Sequence, residues 1–347
     1  MSGGEHLRVL VAMSGGVDSS VAAALMRDEG HDVTGVTLKL WGGESDSGCC
    51  SVSDVEDARR VAAQLDLPHY VFNFAEDFTA NVVDPYVADY AAGRTPNPCV
   101  ECNRSLKWGR LLDRARSMGF DALVTGHHAR ITRDAAGRAE LRRGDDPAKD
   151  QSYVLAVLGQ DELAMTRLPV GEMTKADVRA HATRLGLRTA TKAESMDVCF
   201  ITRGGRNAFL DARVPAAPGP IVDTHGDVVG AHDGVRAFTV GQRRGLAVAV
   251  GERRYVIDVD AATATVTLGE RRDLLRGEIA LTRLTSTGES IADRTTVLAQ
   301  VRAHGESHPA VWRGDHIEWV EPQPRVAPGQ IVALYDGDRV LGSAIVA

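Results

Sequence analysis

The chain has 347 residues, of which 44% are hydrophobic and 25% charged, and it carries a formal charge of −7. This composition is typical of a soluble globular protein, and the length suits two or three domains. The negative charge argues against a general nucleic-acid binder but allows local basic patches. No run reaches the length of a membrane span, and Met1 to Arg8 lacks the features of a signal peptide. We therefore expect a cytoplasmic protein without a membrane or DNA partner.

The first 200 residues alternate short apolar strands with helices. The pattern predicts strands at Val9–Met13, Asp32–Leu40, His69–Phe74 and Ala122–Thr125, and helices at Val21–Glu29, Asp54–Leu65, Asn81–Ala92, Ser105–Met118 and Thr174–Leu185. Such alternation predicts an α/β domain with a parallel sheet and helices on both faces. Ligands of these sheets bind at the carboxyl ends of the strands. The loop after Met13, the segment after Leu38 and the segment Thr125–His128 should therefore meet there.

After about residue 204, glycine and proline become frequent and helical periodicity disappears. Short β-like segments follow at Val235–Val240, Tyr255–Val259, Thr265–Leu268, Thr296–Val301, Ile317–Val320 and Ile331–Leu334. They predict a small β-rich module and then a terminal β-barrel or sandwich. We place the domains at residues 1–203, 204–272 and 273–347.

The most informative segment follows the first strand and reads Ser14-Gly15-Gly16-Val17-Asp18-Ser19-Ser20. Two glycines between a strand and a helix let the backbone approach a phosphate, and the helix N-terminus offers N–H groups and a positive dipole end. Asp18 can hold a magnesium ion that bridges phosphates. No lysine stands where the G-x-x-x-x-G-K-[ST] motif needs one. The heptapeptide resembles the PP-loop of ATP pyrophosphatases; an ordinary glycine-rich turn is the alternative, which the strand–helix context disfavours.

The five cysteines are Cys49, Cys50, Cys99, Cys102 and Cys199. An odd number in a long chain without a signal peptide does not indicate a disulfide framework. Cys99 and Cys102 form a C-x-x-C before a helix, whose N-terminus lowers the pKa of a thiol. The alternatives are structural zinc, for which Cys49-Cys50 is a poor second pair, and, for Cys199, a buried apolar thiol.

Together these motifs resemble the tRNA-specific 2-thiouridylase family of the PP-loop ATP pyrophosphatases. The similarity runs essentially end to end. Beyond the Ser14–Ser20 loop, it includes Gly93 to Pro98, Cys102-Asn103, Lys107, Thr125-Gly126-His127, Lys149 to Tyr153, Pro169 to Glu172, Cys199-Phe200-Ile201, Gly241 to Leu246 and Pro328-Gly329-Gln330. It implies a parallel-sheet PP-loop domain (adenine nucleotide alpha hydrolase-like), a small β-rich central domain and a C-terminal β-barrel.

The resemblance also implies site residues. Those for ATP are Ala12, Met13, Ser14, Gly15, Gly16, Val17, Asp18, Ser19, Leu38 and Gly126. The nucleophile position falls on Cys102 and the persulfide carrier on Cys199. The contacts to tRNA fall on Lys149, Asp150 and Gln151, with Asn97, Pro98 and Cys99 beside the target base. A later contact, usually an arginine followed by an aromatic residue, falls on Arg302 and Ala303, so its stacking partner is missing here.

The reaction implied by the resemblance uses ATP and Mg²⁺ to adenylate C2 of the wobble uridine of tRNA. A persulfide on Cys199 then supplies sulfur, and Cys102 attacks that persulfide or releases its sulfur, which gives a Cys102–Cys199 disulfide as AMP leaves. The partners are the anticodon stem-loop of tRNA and a sulfur-donor protein. Many relatives carry Asp at the position of Cys99. We therefore also consider that Cys99, Cys102 and Cys199 ligate a [4Fe–4S] cluster with one open iron; the rival view is that Cys99 is a tolerated substitution.

Three other functions fit parts of the sequence. A PP-loop enzyme that adenylates a small-molecule carbonyl would leave the cysteines and the β-rich half unused. A non-catalytic RNA-binding protein would not need Ser14, Asp18 and Ser19 intact. A zinc-stabilised interaction protein would need a fuller ligand set.

Overall fold

A computed structural model describes residues 6–40, 52–193, 198–201, 204–246, 248 and 253–347. The predicted features at Cys49 and Cys50 lie outside these ranges. Within them, every helix falls short of the length and apolar character that a membrane crossing requires.

The N-terminal region contains the predicted parallel sheet. The strands of this region are β1 (Arg8–Ala12), β2 (Asp32–Lys39), β3 (His69–Asn73), β4 (Ala122–Val124), β5 (Ala129–Arg133), β6 (Ala139–Arg143) and β7 (Thr166–Arg167). Five of them form one sheet in the order β3-β2-β1-β4-β7, and every neighbouring pair is parallel. The α/β prediction is confirmed.

Helices cover both faces of this sheet. They are α1 (Val17–Asp28), α2 (Val52–Gln64), α3 (Ala75–Phe78), α4 (Asp84–Ala91), α5 (Pro98–Glu101), α6 (Leu112–Ser117), α7 (Ser152–Leu155), α8 (Gln160–Ala164), α9 (Lys175–Arg184) and α10 (Gly205–Asp211). The π-helical turns Thr79–Val83 and Cys102–Leu111 join α3 to α4 and α5 to α6. Val9 and Val11 pack against α1, α2 and α9, whereas Leu10 faces the cluster that contains α4 and the Cys102–Leu111 segment, because alternate strand residues point to opposite faces.

The central region forms a second, four-stranded sheet. Its strands are β8 (Gly219–Val222), β9 (Val228–His232), β10 (Tyr255–Asp260) and β11 (Thr265–Gly269), in the order β10-β11-β8-β9. The predicted strand Val235–Val240 is wrong, because Val235–Ala237 is a short 3₁₀ turn. Beyond the turn, the side chain of Gln242 accepts the N–H of Thr239, which takes that donor away from any neighbouring strand. The run is apolar because it is buried between two small cores.

The C-terminal region closes into a six-stranded barrel. Its strands are β12 (Leu275–Ser286), β13 (Thr296–Gln300), β14 (Ser307–Trp312), β15 (His316–Pro324), β16 (Ile331–Asp336) and β17 (Arg339–Val346), and pairing of β12 with β17 completes the ring. The predicted barrel is confirmed.

The hairpin β5–β6 was not predicted, and it connects the N-terminal region to the C-terminal barrel. Arg142 on β6 pairs with Arg339 on β17, which extends the barrel sheet into the N-terminal region. Asp338 accepts hydrogen bonds from Arg130 at 2.8 Å and Arg142 at 2.7 Å across this seam. Barrel residues also complete the largest apolar core; they are Ile331, Ala333, Tyr335 and Val340. The site described next is therefore framed by both regions.

Candidate active site

The Ser14–Ser20 loop joins β1 to α1 in a compact, self-bonded turn. Ser19 Oγ accepts the backbone N–H of Ser14 at 3.1 Å, and Ser20 Oγ donates to Gly16 O at 2.8 Å. Gly15 has a φ of +74°, and a Cβ there would overlap the carbonyl oxygen of Asp54 on α2. Glycine is required for both reasons. The first-turn N–H groups of α1 have no partner within the helix, which leaves them available to an anion.

The end of β4 meets this loop, as the sheet topology predicted. A Cβ on Gly126 would lie 2.5 Å from Ser19 N, so only glycine allows this close approach. Leu38 lies at the end of the neighbouring strand β2 and is buried. Met13, just past β1, donates its N–H to Val36 O at 2.8 Å. The predicted ATP residues Ala12–Ser19, Leu38 and Gly126 are therefore on adjoining strand ends.

Asp18 is the charged centre of the loop. Both of its carboxylate oxygens accept Lys175 Nζ at 2.7 Å, and Oδ1 lies 3.2 Å from His128 Nε2. Burial alone would raise the pKa of Asp18, but the hydrogen bonds from His128 and Lys175 and the charge of Lys175 outweigh it, so the pKa is lowered. Asp18 is therefore an anion paired with an ammonium.

His127 is held as a neutral ring beside the loop. Its Nδ1 lies 2.7 Å from Thr125 Oγ1 and its Nε2 lies 3.5 Å from Lys107 Nζ. Burial and the charge of Lys107 lower the pKa of His127 well below 6.5. Its ring also packs on Trp108, with centroids 5.5 Å apart. Since Lys107 and Trp108 are on the helical segment that begins at Cys102, this contact ties that segment to the loop.

The C-x-x-C opens a helix whose start is capped. Asn97 Oδ1 accepts the N–H groups of Cys99 at 3.1 Å and Val100 at 3.3 Å. Pro98 occupies the first turn, where its missing N–H costs nothing. Cys102 is buried at 8% exposure, whereas Cys99 is half-buried. The helix start predicted to favour a thiolate is therefore present, and both residues are thiols.

Cys199 lies in a turn anchored by its neighbour Phe200. The Phe200 ring is fully enclosed by aromatic rings, at centroid distances of 5.7 Å from Phe78, 5.2 Å from Tyr86 and 5.2 Å from Phe209. Cys199 is half-buried, and it packs against the same apolar cluster that contains Cys102. Burial, first of all, raises the pKa of Tyr86, and the nearby thiol of Cys99 adds to this effect. The aromatic cluster therefore connects the two cysteine-bearing segments.

The three thiols do not form a metal site in this structure. Among the described residues, no group of three or more His, Cys, Asp or Glu side chains is arranged to hold a metal ion. The predicted [4Fe–4S] ligand set of Cys99, Cys102 and Cys199 therefore stays a prediction.

The segment Lys149–Gln151 is built into the fold by two of its three side chains. Asp150 accepts hydrogen bonds from Arg143 Nη1 at 2.9 Å, Gly144 N at 3.0 Å and Ser152 Oγ at 2.9 Å. Gln151 Oε1 accepts the N–H of His128 at 2.9 Å. Lys149 is half-buried. Asp150 thus positions the segment, and Lys149 adds a positive charge to it.

Two pairs of sequence motifs, far apart along the chain, meet around this site. Gln330 Nε2 donates to Thr95 O, and Thr95 N donates to Pro328 O at 2.8 Å. Arg302 lies near enough to Tyr153 to act on its hydroxyl electrostatically, and Ala303 packs against the core that contains Tyr153. The barrel residues Arg302 and Ala303 therefore lie near Tyr153, two residues after Gln151.

Sequence reasoning did not single out Lys175 or Lys192 as site residues, and it placed His128 at the site only as part of the segment Thr125–His128. Lys192 Nζ bonds Gly15 O at 3.0 Å and the carboxylates of Asp54 and Asp57 at 2.7 Å. One signal was present for Lys175. A lysine in the first turn of a helix opposes the helix dipole and calls for another reason to be there.

Comparisons with known proteins cover nearly the whole chain. The profile of the tRNA methyl transferase HUP domain matches residues 7–203, that of the tRNA methyl transferase PRC-barrel domain residues 207–270, and that of the aminomethyltransferase beta-barrel domain residues 276–346. The tRNA-specific 2-thiouridylase MnmA of Beutenbergia cavernae is 48% identical over 98% of this chain and 95% of its own. That of Herpetosiphon aurantiacus is 46% identical over 96% and 97%. A 4-thiouridine synthetase–RNA complex with bound ATP covers 60% of this chain and 46% of its own at 18% identity, with a TM-score of 0.39, too weak a similarity to support a conclusion.

Proposed function

The chain belongs to the tRNA-specific 2-thiouridylase family, and we propose that it uses ATP to replace the C2 oxygen of the wobble uridine of tRNA with sulfur. The matched profiles support domains at residues 1–203, 204–272 and 273–347. Because its substrate is tRNA, the enzyme would act in the cytoplasm.

One observation carries the proposal. The helical segment that begins at Cys102 contacts His127 through Lys107. The adjoining Gly126 lies against Ser19 of the Ser14–Ser20 loop, which we call the phosphate loop. This connection supports a single site in which the loop would bind ATP and Cys102 would handle sulfur. An enzyme that only adenylates a small carbonyl has no use for this connection.

In the first step the loop would bind the phosphates of Mg–ATP. The uracil O2 attacks the α-phosphorus, the bond from that phosphorus to the bridging oxygen breaks, and pyrophosphate leaves. Backbone N–H groups of α1 and the hydroxyls of Ser14 and Ser19 suit the charge that develops on the phosphates. The N3 proton of the uracil is lost as the adenylated base forms.

In the second step the terminal sulfur of a Cys199 persulfide attacks C2, and AMP departs with the former O2. The Cys102 thiolate then attacks the Cys199 sulfur, which breaks the S–S bond, releases 2-thiouridine and leaves a Cys102–Cys199 disulfide. An external thiol must reduce this disulfide before the next turnover. A sulfur-donor protein would reload Cys199.

We propose the persulfide route because Cys102 and Cys199 are both free thiols at the same apolar cluster, and the cluster route stays the alternative. Cys99 lies at the capped helix start beside Asn97 and Pro98, and we assign these three residues to the target base. The base must leave the anticodon stack to reach this position.

The anticodon stem would lie against Lys149, Gln151 and the Arg302–Ala303 turn. Lys149 supplies a charge for a phosphate, and Gln151 keeps its amide N–H₂ group for a base edge or sugar while its carbonyl is bonded to His128. Asp150 would act by holding the segment in place through Arg143. Recognition of RNA by shape and phosphates suits such a surface.

The test is nucleoside mass spectrometry of tRNA after incubation with ATP, Mg²⁺ and a persulfide donor. Wild-type protein should form 2-thiouridine at the wobble position, and Cys102→Ser and Cys199→Ser should form none while still binding ATP. Cys50→Ser is the control, because it removes a thiol to which the proposal assigns no role, and it should retain turnover. Full activity of Cys199→Ser would remove that residue from the mechanism. A wild-type protein that holds iron, together with a Cys99→Ser variant that loses both the iron and the activity, would favour the cluster.

A further inference from the structure

Lys175 supplies the ammonium that the phosphate loop lacks in its own sequence. It is 157 residues away from Asp18 along the chain, yet its Nζ lies 2.7 Å from both carboxylate oxygens. Its side chain is 14% exposed, so the charge is held inside the site and away from bulk solvent.

The base of this side chain is fixed from two sides. Thr174 caps α9 and exchanges hydrogen bonds with Asp177, with Asp177 N reaching Thr174 Oγ1 at 3.2 Å and Thr174 N reaching Asp177 Oδ2 at 3.1 Å. The N–H of Lys175 itself donates to Asp146 Oδ2 at 3.0 Å. The ammonium therefore extends to the loop from a rigid support, although its place in the first turn opposes the dipole of α9.

The charges of the loop need this cation. Asp18 is an anion in the first turn of α1, where ATP brings several further negative charges. Without a counterion, the carboxylate would repel the triphosphate in a partly desolvated site. Arriving phosphate oxygens compete with Asp18 for the ammonium donors, and a carboxylate released from Lys175 is then a ligand for the magnesium of Mg–ATP.

From these contacts we propose that Lys175 binds the β- and γ-phosphates of ATP and stays with the pyrophosphate as it leaves, while Asp18 passes from Lys175 to the magnesium. The inference rests on the proposed function for the identity of the nucleotide. It adds a catalytic residue that compensates for the missing lysine of the loop.

Calorimetric titration of the full chain with ATP, pyrophosphate and AMP tests the proposal. Lys175→Met should weaken the binding of ATP and pyrophosphate by roughly tenfold to a hundredfold, the usual effect of losing a charged hydrogen bond. AMP lacks the β- and γ-phosphates, so its affinity should change less than about twofold. Lys175→Arg should recover part of the loss. Arg184→Met is the matched control, because it removes an exposed positive charge from the last turn of the same helix.

Unchanged affinity for ATP and pyrophosphate in Lys175→Met would overturn the proposal. An equal loss for AMP, ATP and pyrophosphate would also overturn it, since Lys175 would then only maintain the fold. The proposed function fails separately: a wild-type protein that binds ATP through Lys175 but never thiolates tRNA would refute the reaction and leave this role intact. Wild-type protein that binds none of the three ligands would contradict both.

Discussion

At the scale of single residues, Asp18 sets the charge of the phosphate loop. Its carboxylate pairs with Lys175 and His128, and no other part of the loop offers a negative group. We expect Asp18→Ala to abolish thiolation while the protein stays folded. Initial rates at saturating ATP, with circular dichroism as the check on folding, measure this. A folded Ala variant with near-normal turnover would show that the assigned role is wrong, and Asp18→Asn separates loss of charge from loss of volume.

His127 makes the stability of the protein depend on pH. The folded protein keeps the ring neutral, because burial and Lys107 lower its pKa well below 6.5. The unfolded chain binds a proton at His127 below about pH 6.5. The contribution of His127 to the free energy of unfolding therefore falls as the pH drops, by at most about 1.4 kcal/mol per pH unit. His127→Gln should lose less stability than wild type between about pH 7.5 and 5.5 in urea unfolding.

The other histidines with lowered pKa values, His69 and His181, are present in both proteins and cancel from this comparison. An identical pH dependence in wild type and His127→Gln would mean that folding does not lower the pKa of His127.

At the scale of elements, we expect the segment Lys149–Gln151 to combine a structural role for Asp150 with a binding role for Lys149. Lys149→Ala should weaken tRNA binding and reduce its salt-dependence slope by about one unit or less, with a smaller effect on urea unfolding than Asp150→Ala. Asp150→Ala should instead lower the free energy of unfolding by about 1–3 kcal/mol, because it leaves the partly exposed Arg143 and the buried N–H of Gly144 without their acceptor. Filter binding across a salt series and urea unfolding separate the two effects. A Lys149→Ala variant with unchanged slope and affinity would count against a direct phosphate contact.

At the scale of the whole molecule, the barrel and the N-terminal region should unfold together. Tyr335 on β16 is fully buried in the N-terminal core; the guanidinium of Arg143 lies 3.8 Å above its ring, and its hydroxyl lies 3.2 Å from Ser152 Oγ. Tyr335→Ala should cost about 3–5 kcal/mol. Hydrogen exchange should show β1 and β16 losing protection in one transition. Separate transitions, with only the barrel affected by the substitution, would contradict a shared core.

Much of this architecture is visible in the sequence, and the exceptions have physical causes. The strand around Leu10 is a continuous apolar run and the strand around Val36 is rich in buried β-branched residues, as is typical of buried parallel strands. The sequence pattern did not predict the β5–β6 hairpin, because charged residues such as Arg130 and Arg142 alternate along it. These arginines pair with Asp338, which is far away in the chain. The Ser14–Ser20 loop can be predicted from its own residues and their neighbours in the sequence. Lys175 does not, because only the packed fold brings it to Asp18.

The most direct test of the account follows the oxygen that sulfur replaces. A tRNA whose wobble uridine carries ¹⁸O at C2 is incubated with the wild-type protein, Mg–ATP and a persulfide donor, and the AMP and the nucleosides are analysed by mass spectrometry. Adenylation of that oxygen predicts one ¹⁸O in the phosphate of AMP for every 2-thiouridine formed, with no label in pyrophosphate. Formation of 2-thiouridine with unlabelled AMP would contradict it, as would labelled AMP produced without any thiolated tRNA.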